Sequence, residues 1–115
     1  MTEQQSSFLQ VFVTFPDRES AARVAQTLVE EALAGCVQIA GPIHSVYQWQ
    51  GKVESADEWL CLIKTAASRY AQLEQRIRQM HPYQVPEIIA VPISLGSADY
   101  LKWLSAALGD ATPAP

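Results

Sequence analysis

The chain has 115 residues, 49% of them hydrophobic, enough for one ordinary domain around a single core. Its formal charge of −4, with no run of Lys or Arg, offers no electrostatic footprint to nucleic acid or to an anionic membrane surface. Residues 1–7 lack the basic start and apolar run of a signal peptide, and no apolar stretch approaches the ~20 residues needed to span a bilayer, so a cytoplasmic protein is expected.

Residues 8–15 are rich in β-branched and aromatic side chains and stop at Pro16, which predicts a first strand. Asp17 is placed to cap a first helix, with Glu19 near the positive end of its dipole. Ala21, Ala22, Ala25, Leu28, Val29, Ala32 and Leu33 recur at helical spacing up to Gly35, a stop signal. From Cys36 the chain becomes extended, is interrupted at Gly41-Pro42, resumes to Trp49, turns at Gln50-Gly51 and runs on from Lys52 to Thr65. This is a long hairpin with a kink or bulge at Gly41-Pro42, because proline in a strand belongs at an edge or a bulge. A two-residue turn at Gln50-Gly51 sets Ala40 opposite Cys61 and Cys36 opposite Thr65. The cysteines are then four residues apart along the strand, roughly 13 Å, too far for a disulfide. Both are expected to be free thiols of a reducing compartment, and no CxxC or Cys–His spacing suggests zinc.

Residues 68–80 carry Tyr70, Leu73, Ile77 and Met80 at spacings of three and four, an amphipathic second helix. Pro82 ends it, and Pro86 restricts Val85 to extended geometry before a fourth strand over residues 87–94. Ser97 caps a short final helix carrying Tyr100, Leu101, Trp103, Leu104 and Leu108. The expected organisation is a disordered start over 1–7, one domain over 8–108 and a disordered tail over 109–115. The order βαββαβ with a terminal helix predicts an α+β, ferredoxin-like antiparallel sandwich.

The strands are apolar on both faces: Leu60 and Leu62 alternate with Trp59, Cys61 and Ile63. Two helices, each ~10 Å across, cover about the width of four strands at ~4.8 Å, so they bury only one face. Self-association through the open face is the economical answer, with Tyr47, Trp49 and Trp59 as aromatic anchors on or near the hairpin arm. The alternative is that the final helix covers part of that face.

Chemistry concentrates in the proline connector. His81 suits a metal ligand or a general acid or base, and equally a helix C-cap favoured by the dipole. Glu87 is placed to pair with it or to cap the strand entrance, and Tyr83 to pack its ring and donate its hydroxyl. Met80 offers a soft thioether to Cu(I), yet its spacing from Leu73 and Ile77 marks a core position. His44, opposite Asp57, fits a surface pair. Lys52 and Glu54 form either an ion pair across the hairpin or between subunits, or a solvated tip. No GxGxxG, Walker loop, HExxH, GxSxG or paired CxxC occurs, which argues against an enzyme.

Several of these segments, in one order, carry a specific likeness: Thr14-Phe15-Pro16-Asp17, Leu28-Val29-Glu30-Glu31 with Cys36-Val37, and Tyr47-Gln48-Trp49-Gln50-Gly51-Lys52-Val53-Glu54. With Ile63-Lys64-Thr65, His81-Pro82-Tyr83-Gln84-Val85-Pro86-Glu87-Ile88 and Tyr100-Leu101-Lys102-Trp103-Leu104, the chain resembles the CutA divalent-cation tolerance family from about Phe8 to Leu108. The resemblance implies a ferredoxin-like subunit, a homotrimer joined by sheet pairing through long hairpins, and a role in tolerance of copper and other divalent metal ions. It implies weak copper binding in which His81 is the retained ligand, Met80 standing where the family has a second histidine and Val13 where it has a cysteine. An alternative it implies is a small-molecule sensor similar to the PII signalling proteins, or a protein scaffold, using clefts between subunits near residues 49–54 and the connector.

Overall fold

The computed structural model describes residues 7–109; apart from Ser7 and Gly109, the two ends expected to be disordered lie outside the described residues. The elements are β1 (Phe8–Phe15), α1 (Arg18–Glu30), β2 (Cys36–Trp49), β3 (Lys52–Ala66), α2 (Tyr70–Met80), β4 (Ile88–Pro92) and α3 (Ala98–Ala107), with a 3-10 turn, Ala67–Arg69, leading into α2. The strands form one sheet in the order β2-β3-β1-β4 with every neighbouring pair antiparallel, the expected ferredoxin-like α+β arrangement.

Alternation along the central strands sorts the side chains. Val11, Val13 and Phe15 of β1 and Cys61 and Ile63 of β3 are buried against Ala21, Val24 and Leu28 of α1 and Leu73 and Ile77 of α2. Thr65 joins this layer because its hydroxyl donates to the Leu33 carbonyl at 2.7 Å.

Asp17 caps α1, its Oδ1 accepting the Ser20 N–H at 2.7 Å. The helix ends at Glu30, earlier than the run of apolar residues toward Gly35 suggests. Ala32 takes a left-handed φ of 57°, the Leu33 N–H bonds the Leu28 carbonyl at 2.9 Å and the Ala32 N–H bonds that of Val29 at 3.1 Å. That is a Schellman closure with alanine where glycine is usual. Ala22 and Val29 are exposed, and Val24 is the centre of the buried stripe.

Gln50 and Gly51 have φ of 52° and 79°, the two positive values that a type I′ hairpin turn needs. From there Trp49 pairs with Lys52, Tyr47 with Glu54 and His44 with Asp57, as expected. Between Ile43 and Ala40 the register shifts by one residue at Gly41 and Pro42. Ala40 therefore lies opposite Leu60 and Cys36 opposite Lys64, not opposite Cys61 and Thr65, because the bulge takes up a residue that a regular ladder would have paired. A Cβ on Gly41 would fall 2.6 Å from the Trp59 ring, so only glycine fits under that indole. Cys61 pairs with Ile39, three residues from Cys36, so the two free thiols point to opposite faces.

The helix that follows begins at Tyr70 rather than Ser68, since the entering turn is 3-10. β4 is shorter than residues 87–94: the Ile93 N–H still reaches the Phe8 carbonyl at 2.9 Å, but β1 begins there and offers no further partner.

The second face of the sheet is half-covered. Leu104 and Leu108, at the C-terminal end of α3, are buried against Phe8 and Ala66 at one end of it. Elsewhere Ile89, Val91 and, in the following loop, Leu95 remain 54%, 44% and 91% exposed. β1 pairs with β3 only as far as Phe15 opposite Trp59, so residues 43–49 and 52–58 form a two-stranded arm with no third strand among the described residues. It stretches the molecule to 52 × 35 × 23 Å.

Candidate functional site

The connector after α2 folds back onto the end of β1. His81 caps α2, its N–H donating to the Ile77 carbonyl at 2.8 Å, and leaves helical geometry with φ −75° and ψ 135°, as a residue before proline should. Its side chain is 8% exposed and stacks on Phe15 with ring centroids 4.4 Å apart. Nε2 lies 2.7 Å from the Thr14 carbonyl, and Nδ1 lies 3.1 Å from the Tyr83 backbone nitrogen. A carbonyl only accepts and an amide N–H only donates, so Nε2 carries the proton and Nδ1 is the acceptor: the ring is the neutral Nε2–H tautomer. Burial holds the His81 pKa below its ordinary value, against the opposing pull of the Thr14 carbonyl and the Glu58 carboxylate.

Tyr83 tilts against the imidazole at a centroid distance of 4.9 Å and donates its hydroxyl to Glu58 Oε2 at 2.7 Å. Burial, then the Glu58 carboxylate, push the Tyr83 pKa well up, so the phenol remains a donor at physiological pH. Glu58 is 7% exposed on β3 opposite Ile43, at the root of the arm. Tyr47 and Asp17 are near enough to add to the field on Tyr83.

Of the residues singled out above, His81 and Tyr83 come together, and Glu87 does not join them: it is exposed at the entrance to β4, while both imidazole nitrogens face backbone. The carboxylate of the cluster is Glu58, which a reading of the connector misses because it lies 25 residues upstream, and beside Asp57 nothing in the local sequence marks it as the buried acid. Met80 packs partly buried against the core. Trp59 also packs against the core, over Gly41, rather than standing on the arm. Tyr47 and Trp49 are exposed on the arm, as are Lys52 and Glu54, which make no ion pair among the described residues. His44 Nδ1 and Asp57 Oδ1 lie 3.1 Å apart on the surface, the expected pair.

These donors do not fit a resident copper ion. Both nitrogens of His81 are engaged, Met80 packs partly buried against the core, and the fully buried Val13 brings no donor. No group of three or more His, Cys, Asp or Glu that could hold a metal occurs among the described residues. What the cluster offers is a shielded carboxylate–phenol pair backed by a neutral imidazole.

Comparison with known proteins gives a consistent family. The CutA1 divalent ion tolerance protein family matches residues 9–107. The chain is similar to the divalent-cation tolerance protein CutA of Thermus thermophilus, 46% identical over 94 residues that cover 82% of this chain and 91% of that protein. It is 48% identical over 94 residues to the chloroplastic protein CutA of Arabidopsis thaliana, covering 82% of this chain and 52% of the plant protein, so it spans about half of that relative. The solved structure of CutA1 from Shewanella sp. SIB1 matches with a TM-score of 0.87 at 40% identity, covering 90% of this chain and 97% of that one.

Proposed function

The chain belongs to the CutA1 divalent ion tolerance family, and from that premise we propose that it serves in divalent-cation tolerance as a non-enzymatic cytoplasmic homotrimer. The two-stranded arm carries the assembly: Val46, Tyr47, Trp49 and Val53 are exposed on it, and among the described residues no third strand supports it. A two-stranded ribbon is marginal alone in water, and exposed aromatic side chains suit a subunit contact. Among the described residues β4 pairs only with β1, which leaves its outer edge for the arm of a neighbour, and a head-to-tail contact of that kind makes a ring where its rotation closes. Three copies is the number that the family resemblance implies. The Glu58–Tyr83–His81 cluster, at the root of the arm, then borders a cleft between subunits.

Copper enters this reading only weakly, since an ion at His81 must first displace the Tyr83 N–H from Nδ1. The engaged imidazole favours a second reading, in which the cleft near residues 49–54 and the connector senses a small organic ligand or docks a partner protein. The cytoplasm suits the two free thiols.

Light scattering at micromolar concentration should give about three times the 12.7 kDa of one chain; the mass of a single chain would overturn the assembly. Calorimetric titration of Cu(II) should show weak binding. A tight, stoichiometric site abolished in His81→Ala would overturn the view that the ring stays committed to the backbone.

A further inference from the structure

Between the open face of the sheet and the first turn of α3 lies a groove of about 580 Å³, apart from the His81 cluster. Its size falls within the ~300–1,000 Å³ usual for small-molecule pockets. One wall is apolar, with Val91, Ile93 and the highly exposed Leu95; the other presents Gln10, Gln38 and Lys64. The bulged register is what gathers the polar group. Lys64 lies between Cys36 of β2 and Gln10 of β1, and Gln38 stands two residues further along β2.

The Lys64 ammonium donates to Gln38 Oε1 at 2.6 Å, which leaves two of its three donors. Among the described residues it has no ion pair, and no Asp or Glu lines the groove. Tyr100, on the same rim, lies beside the Cys36 thiol. Gly96 and Leu101 bring the N-terminal end of α3 to the groove, the end of a helix that favours negative charge; Asp99 of that turn is not among the lining residues.

We propose that this groove binds the carboxylate of a small organic acid with an apolar tail, Lys64 and the Gln10 amide holding the carboxylate while Val91, Ile93 and Leu95 cover the tail. A single cation flanked by neutral amides matches a monoanion better than a phosphate dianion. The inference does not depend on the proposed trimer, which pairs the hairpin arm with the edge of β4. The groove and its charge belong to a single subunit.

Octanoate, titrated calorimetrically into the full chain, is the probe, with octanol and acetate as controls lacking the charge or the tail. Octanoate should bind saturably, about tenfold or more tighter than either control, and at least about tenfold weaker in Lys64→Met. Lys64→Arg should restore most of the affinity, and the exposed-lysine variant Lys102→Met should leave it unchanged. Octanol binding as tightly as octanoate, full octanoate affinity in a folded Lys64→Met, or no saturable binding would each overturn the proposal. Light scattering on the same samples separates it from the assembly: a monomer that binds octanoate sinks the trimer alone, and a trimer that does not bind it sinks this site alone.

Discussion

The Tyr83 hydroxyl donates to Glu58 at 2.7 Å, tying the connector after α2 to the root of the hairpin arm across 25 residues of sequence. Glu58 is almost wholly buried, so the phenol supplies what water would otherwise give. Tyr83→Phe should lower stability by about 1–3 kcal/mol, the cost of leaving a buried acceptor without its donor. Urea denaturation should show a lower midpoint with an unchanged slope. A variant as stable as the parent would mean that the carboxylate is hydrated.

The neutral His81 makes stability depend on pH in a defined sense. Its folded pKa is depressed, chiefly by burial, whereas the unfolded chain takes up a proton near pH ~6.5. The contribution is complete above that pH and is lost as pH falls through it toward the folded value, because the unfolded state then binds the proton preferentially. Stability measured between pH 7.5 and 5.5 should fall more steeply in the parent than in His81→Phe. Nitrogen NMR at pH 7.5 should report the Nε2–H tautomer; an Nδ1–H ring would break the assignment of both hydrogen bonds.

Gly41→Ala tests the bulge. The added methyl meets Trp59 Cδ1 at 2.6 Å and Cγ at 2.8 Å, inside any acceptable contact. The indole must move, and overpacking of this kind costs typically ~1–3 kcal/mol. Thermal unfolding should show the loss, together with a change in tryptophan fluorescence that a surface substitution such as Ala22→Ser does not cause.

Burial pushes the Cys61 thiol up to about 12, so almost no thiolate exists at neutral pH. Iodoacetamide treatment followed by peptide mass spectrometry should leave Cys61 unmodified in the native protein and alkylate it in denaturant. Labelling at the native rate of a free thiol would show that the β3 core opens locally.

Local signals carried most of the fold. Asp17 and Ser97 both cap helices, Pro16 and Pro82 end elements where expected, and the two-residue turn at Gln50-Gly51 put His44 opposite Asp57. Two details escaped because they depend on backbone geometry that a hydrophobic pattern does not report. Ala32 adopts a left-handed conformation usually left to glycine, and the bulge, itself expected at Gly41-Pro42, moves Ala40 and Cys36 by one partner. The candidate site was half legible. His81 and Tyr83 are neighbours in sequence, but Glu58 and the Thr14 carbonyl reach them only through tertiary packing, and Glu87 was the nearer acid without being the contacting one.

The bulge at Gly41 and Pro42 also acts as a half-turn of the ribbon. In the body of the sheet, odd-numbered residues of β2 such as Val37 and Ile39 look toward the helices, but after the extra residue Ile43 pairs with Glu58, an even position of β3. Odd and even exchange roles, since a one-residue slip sends every later side chain to the other side. Tyr47 and Trp49 thereby share a side with Leu60 and Leu62 instead of with Val37. Removing Pro42 alone would take out the bulge yet leave both aromatic rings on that side, because Ile43 to Trp49 would keep the same partners on β3.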